Sequence, residues 1–162
     1  MTTTPNPVVT LKSLRIAASL SEETTAFTAA VFVDGKRAGH AKNDGHGGMT
    51  LVTFDDRAVR DRVREYGETL IPDEYKKLSN GDEWIVDQLV EQHLKDKDAA
   101  RLAKIDKTQK AYWAGQGKSP VRVEMANGKT VWFGADPGSE EAGAGMIAAT
   151  HKTTVTTWAV LR

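Results

Sequence analysis

The sequence predicts an α+β fold: an antiparallel sheet made of an N-terminal meander and a C-terminal hairpin plus final strand, with a central helical section. Apolar residues alternate with period two before Asp55 and again from Val121, and between these runs they recur at spacings of three and four. Two dipeptides suited to tight hairpin turns, Asp34-Gly35 and Asn127-Gly128, each stand between strand-like runs.

Taken in order, Val8 to Leu20 places apolar side chains at Val9, Leu11, Leu14, Ile16 and Ala18, an alternation broken once near Ser13. The break predicts a strand with a bulge, with a short helix as the alternative. After the polar turn Ser21 to Thr25, Ala26 to Val33 alternates as a second strand buried mainly on one face. Asp34-Gly35 then returns Lys36 to Lys42 antiparallel to it. A glycine loop, Asn43 to Gly48, leads to a fourth strand over Thr50 to Phe54. Asp55 or Asp56 caps a helix with Val59, Val63 and Tyr66 on one face and a break near Gly67. Pro72 opens one more turn through Leu78, and Ser79 to Asp82 stops that turn and caps the next helix. This longest element runs from Glu83 to about Thr108, as one helix or two in line, with Lys95 to Asp98 as a kink or exposed turn. Val121 to Met125 and Thr130 to Phe133 pair about Asn127-Gly128, and Ala135 to Gly145 reads as a loop. Met146 to Ala149 and a final strand, Thr153 to Leu161, close the fold and join the same sheet.

Residues 1–7 are expected to form a disordered arm and 8–162 a single domain, a length that buries a core without disulfides or metal. Lys+Arg and Asp+Glu number 22 each, so no overall basic field attracts nucleic acid and any charged surface is local. The absence of cysteine excludes disulfides, thiolate nucleophiles and Cys-ligated zinc. No apolar run approaches the roughly 20 residues that span a bilayer, so no membrane partner and a cytoplasmic location are expected.

The loop Asn43, Asp44, Gly45, His46, Gly47, Gly48 is the candidate ligand or anion site, because glycines let successive amides converge on a phosphate or carboxylate and His46 can add a proton or charge. It lacks the spacing of either phosphate-binding fingerprint, and a strand comes next where those motifs need a helix. Turn chemistry is the competing explanation: glycine supplies positive φ, and Asn43 and Asp44 supply side-chain turns. His40, Asp44 and His46 do not have the spacing of a known metal-ligand set, and neither a metal nor a cofactor is expected. No nucleophile can be paired with His46, and His151-Lys152-Thr153 supplies one copy of an H-x-T element that two-histidine phosphoesterases need twice. The candidate partner-binding residues are Lys110, Tyr112, Trp113 and Lys118, where aromatics beside lysines suit a protein hot spot or base stacking.

The segment Asp34 to Gly48, D-G-K-R-A-G-H-A-K-N-D-G-H-G-G, resembles a segment of small uncharacterised proteins carried by phages and plasmids. That resemblance implies a mobile-element origin and, with it, a protein that binds and blocks a host component such as a defence system. The leading expectation is a non-enzymatic interaction protein with a protein partner. The alternatives are a small-ligand, nucleotide-binding or phosphoester-processing protein using the glycine loop, and a nucleic-acid binder.

Overall fold

The computed structural model describes residues 5–162 and has the expected α+β character, with seven strands and three helices among those residues. The arm expected over residues 1–7 falls partly outside them. In its described part, the Pro5 carbonyl accepts from Arg62 Nη2 at 2.9 Å and Pro7 is buried. The chain, expected to form one domain, divides by contacts into two compact units, Met1–Lys95 and Asp96–Arg162, each with its own apolar core.

The strands form two sheets, which corrects the expectation that the C-terminal strands join the N-terminal sheet. The first four strands each pair with their sequence neighbours, the last three form a sheet of their own, and the buried positions of the long helix end at Val90.

In the first unit, β1 (Val9–Ile16), β2 (Phe27–Val33), β3 (Lys36–Asn43) and β4 (Leu51–Phe54) lie in that order, every pair antiparallel. Asp34 and Gly35 take φ of 50° and 79°, as the two-residue turn between β2 and β3 requires. Helix α1 (Arg57–Glu68) begins at Asp56, whose carboxylate accepts from the amides of Ala58 and Val59 at 2.7 and 3.4 Å. Its end is set by packing. A Cβ on Gly67 would lie 1.9 Å from the Gly81 carbonyl oxygen, so α1 and the start of α2 (Gly81–Ala114) approach backbone to backbone. Arg64 Nε donates to the buried Asp82 carboxylate at 2.9 Å across the same crossing. Helix α2 continues through Lys95–Asp98 as one element of 34 residues, its exposed turns carrying the Glu91–Lys95 pair at 2.6 Å and the Asp98–Arg101 pair at 3.6 Å. Phe27, Ala29, Val31 and Val33 of β2 pack with Val63 of α1 and Ile85, Val86 and Val90 of α2 as the core.

The second unit sets β5 (Ser119–Met125) between β6 (Thr130–Ala135) and β7 (Val155–Val160), both antiparallel to it. The Asn127-Gly128 turn is present, with Gly128 at φ 77°. Glu140–Thr150 is a helix, α3, where a loop was expected through Gly145. Alanines at 142, 144, 148 and 149 and two acids in the first turn favour it. Gly143 is needed because a Cβ there would lie 2.6 Å from the Phe133 ring.

Candidate functional site

Asn43 ends β3 and organises the glycine loop with its side chain. Its Oδ1 accepts from Thr24 Oγ1 at 2.9 Å and from the Gly45 amide at 2.8 Å, and its Nδ2 donates to the Gly48 carbonyl at 3.0 Å and to Thr50 Oγ1 at 3.2 Å. The Gly45 carbonyl accepts from the amides of Glu22, Glu23 and Thr24 at 3.0, 3.1 and 3.3 Å. The Gly47 amide donates to Thr24 Oγ1 at 3.3 Å. The Gly45 and Gly47 amides are therefore engaged inside the loop. A Cβ at Gly45 would lie 2.1 Å from the Leu20 carbonyl, and both glycines have positive φ.

The loop's surroundings are acidic. His46 Nδ1 lies 3.1 Å from Glu22 Oε2, both exposed, and Asp44 pairs with Lys42 at 3.5 Å. On the α2 side, Thr50 donates its amide to Glu83 Oε1 at 3.1 Å and its hydroxyl to Asp87 Oδ1 at 2.6 Å. Burial, and then the charge of Glu83, push the Asp87 carboxyl above its ordinary value, with the Thr50 hydroxyl opposing them. A cavity of about 340 Å³ lies here, lined by Glu23, Asn43, Thr50, Asp87 and Glu91 among others. Its charge opposes an anionic ligand.

Of the partner-binding candidates, Tyr112 and Trp113 meet edge to face with ring centroids 4.8 Å apart. Trp113 packs over Gly134, where a Cβ would lie 2.3 Å from its ring, and donates its indole N–H to Gln109 Oε1 at 3.0 Å. Lys118 pairs with Asp136 at 2.6 Å, while Tyr112 and Lys110 are exposed.

No family model, curated protein or solved structure matches the chain.

The first sheet supplies a surface that residue patterning alone does not disclose. Residues paired across antiparallel strands share a face. Helices α1 and α2 cover the face carrying Val9, Leu11, Ala29, Val31 and Ala41. The opposite face is defined by the pairs Thr10 with Phe32, Lys12 with Ala30, Arg15 with Thr28, Phe32 with Arg37, Ala30 with His40, Thr28 with Lys42, Lys42 with Leu51, and His40 with Thr53. It holds four Lys or Arg residues and a histidine, and no carboxylate among the described paired residues. Lys12, Arg15, Arg37 and His40 are exposed, and Lys12 Nζ stands 4.2 Å over the Phe32 ring.

Two bulges produce this arrangement. Ser13, at φ 53°, and Leu14 together oppose one residue of β2, so Leu14 packs against the core while Lys12 and Arg15 share the open face. On β3 the register shifts between Arg37 and Gly39, placing Ala38 in the core and leaving Arg37 and His40 outside. Strict alternation scatters these cations over both faces, so only the paired register reveals them.

Proposed function

We propose that the chain is a non-enzymatic interaction protein that docks a polyanionic partner on the open face of its N-terminal sheet. The observation that carries this reading is the composition of that face: Lys12, Arg15, Arg37, His40 and Lys42 flank an uncharged lane of Thr28, Ala30 and Phe32, and the one carboxylate beside them is Asp44, paired with Lys42 at its end. In a chain of zero net charge, such segregation concentrates positive potential where the neutral total hides it. A binding role also fits what the Asp34–Gly48 resemblance implies, a mobile-element protein acting on a host defence component. His46 pairs with an exposed Glu22, an arrangement suited to a surface contact.

The test is retention of the full chain on a heparin column. Wild type should bind at low salt, and Lys12→Glu with Arg37→Glu should run through with its circular dichroism unchanged, since both positions are exposed. Retention should weaken steadily as salt rises, because the bound polyanion releases its counterions. Wild type that passes unretained, or a reversal variant that elutes with it, overturns the reading.

A second reading, a protein partner joined by strand addition, rests on β7. It borders its sheet, has no charged residue from Val155 to Val160, and leaves Trp158 39% exposed. Sheet edges ordinarily carry charge, proline or a cover that prevents pairing with another chain.

A further inference from the structure

We infer that the polyanion held by the open sheet face is single-stranded nucleic acid, with a base stacked on Phe32. This rests on the polyanion-binding reading and names its ligand. The basic side chains form two rows, Lys12 and Arg15 on β1 and Arg37 and Lys42 on β3, with His40 between the latter two. Between them β2 contributes a lane of Thr28, Ala30 and Phe32, none of them charged. Neighbouring strands lie about 4.8 Å apart, so the rows stand roughly 10 Å from each other. That width admits one strand with its bases facing the sheet and its phosphates reaching either row.

The lane also fits an unpaired base. Thr28 and Ala30 are small enough for a base plane to approach the backbone, and the partly buried Phe32 is the lane's aromatic platform. A duplex keeps its base faces stacked inside, which leaves such a ring without a partner. In the free protein the Lys12 ammonium covers the ring. Moving that ammonium to a phosphate uncovers the ring for a base, so one lysine serves both contacts. At the Thr28 end the lane meets a cleft of about 530 Å³, lined by Arg15, Leu20, Thr28, Asp44 and His46 among others. It is roomy enough for a base turned out of the strand. The glycine loop thus forms one wall of the site through Asp44 and His46.

The test uses the full chain and three fluorescent probes: a 12-nucleotide single strand, the duplex of the same sequence, and dextran sulfate. The single strand is expected to bind at least tenfold more tightly than the duplex by anisotropy. Phe32→Leu keeps apolar volume on a face outside the core; it should weaken the single strand about tenfold and leave dextran sulfate unchanged. Arg15→Glu should weaken both. Equal binding of single strand and duplex, or a Phe32→Leu protein that binds the single strand like wild type, overturns the single-strand inference while polyanion docking stands. Failure of all three probes at low salt overturns polyanion docking itself. Unfolding of Phe32→Leu, checked by circular dichroism, transfers the decision to the comparison of single strand with duplex on wild type.

Discussion

Asn43 has every polar valence of its side chain engaged, two accepted and two donated, and sits 9% exposed at the end of β3. Its replacement by alanine strands the Gly45 amide, the Gly48 carbonyl and the Thr24 hydroxyl. We expect Asn43→Ala to cost about 2 to 3 kcal/mol in urea unfolding, far more than His46→Ala on the exposed tip. Asp87 acts in the opposite sense. Its folded carboxyl titrates above the ordinary 3.8 because it is desolvated beside Glu83, so its stabilising contribution is complete only below that value and is lost as pH rises through the raised one. Asp87→Asn, which can still accept from Thr50, should therefore raise the urea midpoint at pH 7, and the gain should close as pH falls to 3.8. Turn chemistry at Asn43 and Gly45 was legible in the sequence as an alternative to an anion cradle. The joining of Thr50 to Glu83 and Asp87 was not, because those partners lie more than thirty residues away and only the packing of α2 brings them near.

At the scale of elements, hairpins with Asp-Gly and Asn-Gly turns were readable because two residues fix their geometry. Helix α3 was not, since its glycines and alanines carry no apolar periodicity and its glycine at 143 answers to Phe133 on another strand. The bulge near Ser13 was legible, but its effect on the faces needed the register of β2. Ser13 holds a left-handed conformation that favours glycine. Ser13→Gly should accordingly raise stability by about 1 kcal/mol without changing heparin retention. A Cβ at Gly39 would lie 1.9 Å from the Thr53 carbonyl, inside the β3–β4 pairing. Gly39→Ala should therefore force β4 away and lower the unfolding midpoint sharply, as read by circular dichroism.

At the scale of the molecule, each of the two units has a core of its own, built around Val31 and Val63 in one and Val121 and Val123 in the other. Unfolding in urea should accordingly depart from a single two-state transition. Val31→Ala should move one phase and Val121→Ala the other, each by about 2 kcal/mol, since each valine is fully buried in a different core. That there are two sheets was hidden from the sequence because strand periodicity records burial of a face but not the sheet to which a strand belongs. Among the described residues no helix is long and apolar enough to cross a membrane.

The two bulges divide the labour of the first sheet cleanly: Leu14 and Ala38 face the core, and Lys12, Arg15, Arg37 and His40 face outward. Mutation can rewrite the outward set one position at a time with little penalty in folding. Substitutions in the outward set can therefore change the charge of that face while the core that fixes its shape stays as it is.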